Sequence, residues 1–159
     1  MGAPIISLQN VSLTLKGNAG NVNIIKNISL DINKGESIGL IGPSGSGKSS
    51  LLMLAGGLEK PSSGEIKILD QLITGLSEDR LSKLRQNNIG VVFQSFHLIP
   101  TLTALENVAT PLEISSSKKP AEYAMKALDR VGLLKRADHY PSQLSGGEQQ
   151  RVALARAYV

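Results

Sequence analysis

The chain has 159 residues, of which 41% are hydrophobic, and this size and composition fit one globular domain. It contains no cysteine, which excludes disulfides and thiolate metal sites. The formal net charge is +4, and the densest basic pairs, Lys118-Lys119 and Lys135-Arg136, are too short to form a nucleic-acid-binding tract.

The termini and the uncharged stretch in the middle of the chain bear on its location. The N-terminus lacks a basic segment followed by an apolar one, so no signal peptide is expected. Residues 86–105 carry no formal charge and are nearly numerous enough to cross a bilayer. Asn87, Asn88 and Gln94 within this stretch make insertion unfavourable. We therefore expect a soluble chain.

Hydrophobic and polar side chains alternate at the start of the chain. Ile6, Leu8, Val11 and Leu13 carry the first alternation, and residues 28–32 carry a second one. A period of two predicts antiparallel strands with one buried face, joined here by a polar turn at residues 17–21.

A glycine-rich loop follows these strands. The sequence Gly42-Pro43-Ser44-Gly45-Ser46-Gly47-Lys48-Ser49 fits the pattern G-x-x-x-x-G-K-S. It lies between a strand predicted over residues 37–41 and a helix predicted over residues 48–58. Glycines let main-chain N–H groups converge on phosphate oxygens, and the positive end of the helix adds to that attraction. The sequence therefore predicts a phosphate-binding loop, in which Lys48 reaches the β- and γ-phosphates and the Ser49 hydroxyl ligates Mg²⁺.

The next predicted elements are a strand over residues 65–69, a short charged helix over residues 78–85 with Ser77 as its N-cap, and an apolar strand over residues 89–93. A helical insert is then predicted over residues 95–143. Thr103 and Glu106 form a capping-box pattern at the start of one of its helices. Pro120 suits the first turn of the next helix, which Gly132 ends.

Two interpretations are open for the sequence Leu144-Ser145-Gly146-Gly147-Glu148. Ser145 and Glu148 fit the S-x-x-E capping box and could serve only to start the following helix. Glycine in a helix costs up to about 1 kcal/mol relative to alanine, so two glycines in the first turn are unfavourable for the helix alone. Their benefit is the close approach of an anion to the helix N-terminus. This second interpretation is favoured by the phosphate-binding loop earlier in the chain.

The loop, Gln94 and the sequence from Leu144 to Val152 occur in the order and spacing of the ATP-binding cassette (ABC) ATPases, which the chain resembles from about Ile5 to Val159. The segments around Gln94 and Thr103 resemble the branch that serves lipoprotein release and macrolide export. The fold implied is an α/β P-loop NTPase of ABC type, with an antiparallel β subdomain, a partial RecA-like parallel sheet core and a helical subdomain. One incomplete domain is expected, with the β subdomain and P-loop core over residues 1–94, the helical subdomain over 95–143, and the signature motif with its helix over 144–159.

The resemblance also implies ATP and Mg²⁺ as cofactors and assigns roles to individual residues. Lys48 and Gln94 would act in catalysis, Ser49 and Gln94 at the metal, and the signature residues on the γ-phosphate held by a second copy of the chain. A membrane permease would contact the region of residues 96–100 and the helix after Thr103, although these apolar residues could equally be ordinary core. The chain would then lie at the inner face of the cell membrane through that permease. The nucleotide-contacting residues expected are Gly42, Pro43, Ser44, Gly45, Ser46, Gly47, Lys48, Ser49, Ser50, Ser145, Gly146, Gly147 and Glu148.

The chain departs from the family pattern in two respects. Many relatives stack an aromatic residue on adenine, whereas no aromatic residue precedes Phe93 here and the corresponding position falls near Leu15. Relatives also continue into an apolar strand ending in Asp-Glu and a later histidine, with core strands that these 159 residues do not contain. His97 and His139 lie in the wrong segments to replace that histidine. We therefore expect the chain made alone to fold poorly or to aggregate, and a sharp cooperative melt from a monodisperse monomer would contradict this.

Two alternatives to a transporter ATPase are considered. A cassette acting on nucleic acid or ribosomes is disfavoured, because residues 95–143 leave no room for a long coiled coil and there are no zinc-binding cysteines, so no nucleic-acid partner is expected. A ribosome-associated protein with two joined cassettes stays open. The chain could also be a non-catalytic nucleotide binder.

Overall fold

The computed structural model describes residues 3–17 and 20–159, which form two compact units divided between Arg85 and Gln86. The first unit is built on a long hairpin, β1 (Ile6–Gly17) and β2 (Gly20–Ile32). It continues through α1 (Lys48–Ala55), β3 (Ser63–Ile68) and β4 (Gln71–Leu72). The helix α2 (Glu78–Asn88) follows and crosses the division between the units.

The sheet is antiparallel, four-stranded and ordered β2-β1-β3-β4. The predicted alternation is confirmed, but with an irregularity between Leu8 and Val11, where Asn10 has a φ of 51°. An extra residue in one strand restores the phase of the side chains, so Leu8, Val11 and Leu13 are all buried on the same strand. Residues 18 and 19 of the predicted polar turn lie outside the described part of the chain.

The second unit contains α3 (Ala104–Ile114), α4 (Pro120–Arg130) and α5 (Gly146–Tyr158). Two single 3₁₀ turns, Leu134–Arg136 and Pro141–Gln143, connect α4 to α5. The predicted capping box of Thr103 and Glu106 is present, and Pro120 begins α4 as expected. The three helices enclose an apolar core formed by Ala104, Val108, Ala109, Ala124, Ala127, Leu128, Leu133, Ala137, Leu144, Val152 and Ala155.

The strands predicted over residues 37–41 and 89–93 are wrong for this structure. Both segments are irregular, and no parallel strand pairing occurs within the described residues. An extended segment becomes a strand only when a neighbouring strand supplies hydrogen-bond partners, and the described residues place none beside either segment. As a result, Ile41, directly before the glycine-rich loop, is 99% exposed.

Candidate functional site

The glycine-rich loop owes its shape to two residues in the left-handed region. Gly45 has a φ of 79° and Gly47 a φ of 86°, a conformation that is unfavourable for residues with a Cβ atom. The Ser46 N–H donates to the Pro43 carbonyl at 3.3 Å, and the Leu51 N–H donates to the Gly47 carbonyl at 2.9 Å as α1 begins. The loop therefore turns tightly and passes directly into the helix.

Gly47 is also in close contact with β2. A Cβ atom at this position would lie 2.9 Å from Ile25 Cδ1 and 3.0 Å from the Ile24 carbonyl oxygen. Because the second neighbour is main chain of the sheet, it cannot move aside as a flexible side chain could. The absence of a side chain at Gly47 is thus what lets the end of the loop pack on the sheet.

The side chain of Lys48 folds back over the loop. Its Nζ donates to the carbonyl oxygens of Gly42 at 2.8 Å and Pro43 at 2.7 Å, and lies 3.4 Å from Ser46 Oγ. Charge-assisted hydrogen bonds of this length fix the ammonium group at the loop. The lysine predicted to bind phosphate is therefore held against the main chain of the glycine-rich loop itself.

The N-terminus of α1 has the electrostatics of an anion site. Gly47 is its N-cap, has no side chain to accept a hydrogen bond from the helix, and no acidic residue occupies the first turn. The first N–H groups of a helix carry partial positive charge, which attracts phosphate. Ser44 and Ser49 are exposed and Ser50 is half-buried. The loop therefore fits a phosphate chain, and the accessible Ser49 hydroxyl is a suitable oxygen ligand for Mg²⁺.

Ser145 and Glu148 form a complete capping box at the start of α5. The Glu148 carboxylate accepts from the Ser145 N–H at 2.8 Å, and the Ser145 hydroxyl accepts from the Glu148 N–H at 3.3 Å. Arg136 Nε donates to the other carboxylate oxygen at 3.1 Å. These contacts, led by the hydrogen bond from the Ser145 main chain, lower the pKa of Glu148 below its ordinary value. The first interpretation of this motif, a capping box that starts the helix, is thus confirmed. It does not explain the two glycines.

Gly146 and Gly147 show that the capping box is not the whole explanation. Both are exposed, and apart from adjacent residues and the main chain of the same helix turn, no described atom lies within 4 Å of a Cβ atom built on Gly146. At Gly147 the nearest is Arg151 Nη1, at 3.8 Å. Within the described chain, nothing requires glycine at either position. A requirement for glycine would have to come from something that approaches this helix end from outside.

Gln94 lies on an exposed turn. The Phe96 N–H donates to the Phe93 carbonyl at 3.0 Å and closes a four-residue turn with Gln94 at its second position. The rings of Phe93 and His97, which precede and follow the tip of the turn in sequence, stack on each other with centroids 5.0 Å apart. The side chain of Gln94 is accessible to a ligand or to another chain.

The predicted site residues are divided between the two units. The loop with Lys48, Ser49 and Ser50 belongs to the first unit, and Gln94 belongs to the second unit, as do the residues from Ser145 to Glu148. His97 and His139 have local roles, since His97 stacks on Phe93 and His139 Nε2 lies 3.1 Å from Arg136 Nη1. Leu15 is 44% exposed opposite Val22, which is 53% exposed.

The region predicted either to meet a permease or to be ordinary core is only partly buried. Leu98 packs against the apolar core of the second unit, whereas Ile99 is 41% exposed. The core interpretation therefore does not apply to the whole segment, and contact with a permease stays a prediction.

Three residues that hold a candidate site residue or the segment after Gln94 were not identified from the sequence. Arg136 was visible only as part of a basic pair, and its contact with Glu148 crosses 12 positions. Asn107 was one of several polar residues in the predicted helix, yet it is fully buried. Arg156 reaches back about 60 positions to the segment after Gln94. Only helical periodicity could have hinted at Asn107, since it falls on the buried face of α3.

Two kinds of feature are absent from the described residues. Across residues 3–17 and 20–159, no group of three or more His, Cys, Asp or Glu side chains is arranged to hold a metal ion. None of the helices in that part of the chain has the length and apolar character needed to span a bilayer.

Comparison with known proteins places these features in a family context. Residues 25–159 match the family model described as ABC transporter. The lipoprotein-releasing system ATP-binding protein LolD 2 of Caulobacter vibrioides is 45% identical over 159 residues, which cover 99% of this chain and 70% of that protein. The uncharacterized ABC transporter ATP-binding protein YbbA of Escherichia coli K12 is 46% identical, covering 97% of this chain and 68% of that protein.

A solved structure is also similar to the chain. The dimeric post-hydrolysis state of the ATP-binding cassette MJ0796, bound to ADP and Pi, has a TM-score of 0.88 and 44% sequence identity. The match covers 96% of this chain and 68% of that one.

Proposed function

The chain belongs to the ABC transporter family and has the fold of its ATPase cassettes, and on that premise we propose that it is the ATP-binding subunit of an envelope transporter. In this function two copies bind ATP between them and hydrolyse it, and the resulting motion drives a membrane permease. The single observation that carries the proposal is the glycine-rich loop, in which two left-handed glycines, the held Lys48 ammonium and the uncapped N-terminus of α1 converge on one place.

Lys48 has the central role in the first unit. Its ammonium donates to two loop carbonyls, and a bound triphosphate offers β- and γ-phosphate oxygens that are stronger, charged acceptors for the same donor. Charge developing on the γ-phosphate during transfer would be stabilised by this ammonium and by the first N–H groups of α1.

Ser49 and Gln94 are the residues we propose for the metal and the water. Mg²⁺, held in part by the Ser49 hydroxyl, would neutralise phosphate charge. The Gln94 amide can both donate and accept hydrogen bonds, which suits a residue that orients the attacking water. The exposure of both side chains supports these assignments.

Ser145, Gly146 and Gly147 would serve the second copy of the chain. The open space at Gly146 and Gly147 supports an approach of the partner's γ-phosphate to the N-terminus of α5. The dimeric cassette MJ0796, bound to ADP and Pi, supports a dimer as the working state. Adenine would pack against the apolar surface of Leu15 and Val22 rather than stack on an aromatic ring.

The permease partner and the position at the membrane are the most specific parts of the proposal. They are supported by similarity to proteins named for lipoprotein release in Caulobacter vibrioides and Idiomarina loihiensis, at 45% and 44% identity. The chain would be a peripheral subunit on the inner face of the membrane, and the exposed Ile99 would be part of the surface that meets the permease.

The substitution Lys48→Ala tests the proposal. Steady-state ATP hydrolysis by the purified protein with Mg²⁺ should fall by about 100-fold or more, since the donor to the reacting phosphate is lost. Lys34→Ala, at an exposed lysine in the turn after β2, is the matched control and should leave turnover unchanged. Unchanged hydrolysis in Lys48→Ala would refute the role of Lys48. Tight Mg²⁺-dependent ATP binding by the unsubstituted protein without turnover would instead favour the non-catalytic binder.

A further inference from the structure

The turn that contains Gln94 is held by main-chain hydrogen bonds and by a stacked pair of rings. The main-chain hydrogen bond from Phe96 to Phe93 closes the turn, and the Phe93 and His97 rings stack with an angle of 17° between their planes. The His97 N–H also donates to the Ser95 carbonyl at 2.6 Å. Gln94 therefore protrudes from a short segment with a defined shape.

The exit from this turn has an unfavourable main-chain conformation. Phe96 has a φ of 59° and His97 a φ of 47°, so two consecutive residues with side chains occupy the left-handed region. Clashes of Cβ with the main chain disfavour that region for all residues except glycine and, to a lesser degree, asparagine and aspartate. Such a conformation persists only where surrounding contacts hold it.

Arg156, in the last turns of α5, supplies those contacts. Its Nη1 donates to the His97 carbonyl and its Nη2 to the Phe96 carbonyl, each at 2.7 Å. The planar guanidinium thus bonds both carbonyls of the left-handed pair at once through two nitrogens in a fixed fork, a geometry that the flexible side chain of lysine does not hold in advance. Arg156 is partly buried, and this burial lowers the pKa of its guanidinium.

The same helix carries the exposed glycines at its other end. Gly146 and Arg156 are ten positions apart, so a straight helix separates them by about 15 Å at 1.5 Å per residue. A displacement of α5 caused by an anion at its N-terminus would therefore reach the Gln94 turn through Arg156.

We propose that Arg156 is a positioning residue, which fixes the Gln94 turn to the helix that bears Gly146 and Gly147. In this role Arg156 acts on catalysis through the turn that carries Gln94 and not by binding the nucleotide itself. It makes the orientation of Gln94 depend on the position of α5. Gln94, which orients the water, therefore moves together with the N-terminus of α5, which receives the phosphate of the second copy. This inference rests on the role proposed above for Gln94.

The first test measures the turn without reference to activity. In Arg156→Lys and Arg156→Gln, amide hydrogen exchange of Phe96 and His97 should become about tenfold to 100-fold faster, because hydrogen bonds to a charged group are lost. Exchange in the middle of α3 and α4 should not change. Arg130→Lys is the matched control, since Arg130 lies over the Tyr158 ring and makes no hydrogen bond to the turn among the described contacts. Unchanged exchange at Phe96 and His97, or faster exchange throughout the second unit, would overturn the proposal.

The second test separates positioning from general destabilisation. Arg156→Lys should lower kcat for ATP hydrolysis by about 10-fold or more while KM for ATP changes less than twofold, since the phosphate-binding loop is untouched. Combining it with Gln94→Ala should give no further loss beyond Gln94→Ala alone, and additive losses would contradict action through Gln94. Adding Phe96→Asn, which tolerates the left-handed conformation, should restore part of the lost kcat of Arg156→Lys, and no restoration would count against the proposal.

The two proposals can fail separately. If Gln94→Ala leaves hydrolysis unchanged while Arg156→Gln still loosens the turn, the catalytic role of Gln94 fails and the structural action of Arg156 stands. If Gln94→Ala abolishes turnover but Arg156→Gln alters neither the turn nor kcat, Arg156 is not the positioning residue and the proposed function stands.

Discussion

The side-chain amide of Asn107 and the main chain of Ile99 are joined by two reciprocal hydrogen bonds. Asn107 Oδ1 accepts from the Ile99 N–H at 2.7 Å, and Asn107 Nδ2 donates to the Ile99 carbonyl at 3.1 Å. The same Nδ2 also lies 3.0 Å from the carbonyls of Leu102 and Thr103. The irregular segment between Gln94 and α3 therefore obtains from one buried side chain the main-chain hydrogen bonds that a helix or strand would otherwise supply.

Replacement of Asn107 should destabilise the second unit strongly. Asn107→Ala would remove the side-chain partner of the Ile99 N–H and of the Leu102 carbonyl in a site where the side chain is fully buried, whereas the Ile99 and Thr103 carbonyls keep main-chain N–H donors. Unsatisfied buried groups cost about 1–3 kcal/mol each, so we expect a loss of roughly 2–4 kcal/mol in the free energy of unfolding, measured by urea denaturation. Thr110→Ala, one turn further along the same helix, should change it by less than about 0.5 kcal/mol. Equal effects of the two substitutions would contradict this account.

Alanine at Gly47 should be more damaging than alanine at Gly45. Both glycines are left-handed, so each substitution has a conformational cost of roughly 1–2 kcal/mol. Only at Gly47 would the added Cβ also meet the main chain of β2, whereas at Gly45 no described atom beyond the adjacent residues lies within 4 Å. Thermal unfolding should therefore show a larger drop in Tm for Gly47→Ala, and an equal drop would mean that the contact with β2 is readily relieved.

Alanine at Gly146 should separate stability from activity. The added methyl group meets open space, and alanine favours a helix over glycine by up to about 1 kcal/mol, so Tm should hold or rise. ATP hydrolysis should nevertheless fall by about 10-fold or more, because the methyl group obstructs the approach of phosphate to the helix end. Gln150→Ala, at an exposed position of the same helix, also favours helix formation and should not reduce turnover. A stable and fully active Gly146→Ala would exclude this helix end as a phosphate contact.

The capping boxes should make the second unit sensitive to acid. Hydrogen bonds from the main chains of Thr103 and Ser145 lower the pKa values of Glu106 and Glu148 from an ordinary value of 4.5. A carboxylate with a lowered pKa in the folded state stabilises it above the pKa of the unfolded chain, and this contribution is lost as pH falls through the folded-state pKa. The free energy of unfolding should therefore decline as pH falls below about 4.5.

A comparison of glutamine variants checks the source of that decline. Glu148→Gln should flatten the acid limb of the pH profile, since glutamine can still accept the hydrogen bond but does not titrate. Glu113→Gln, at an exposed glutamate outside the capping boxes, should leave the profile as it is. If both variants flatten the profile equally, the effect reflects overall charge and not the capping box.

The parts of this protein that depend on neighbours in sequence could be predicted from the sequence. Both capping boxes connect residues three apart, and both are present as expected. The phosphate-binding loop could be identified because its glycines, Lys48 and Ser49 lie within eight positions. The alternation of β1 gave its buried face, and the bulge at Asn10 keeps Leu8 and Val11, three positions apart, both buried.

The remaining features depended on which distant residues meet in the folded chain. The apolar segments 37–41 and 89–93 have the composition of strands, but a strand forms only against a neighbour, and the described residues supply none. Gly47 and Gly146 look alike in the sequence, yet only Gly47 is enclosed by other parts of the chain. The contacts of Arg156 cross 59 and 60 positions, and no local pattern could indicate them.

The sequence by itself determined the motifs and the helix starts, because their hydrogen bonds are local. The tertiary structure decided strand pairing, the role of each glycine and the anchoring of the Gln94 turn, because these follow from packing between distant segments.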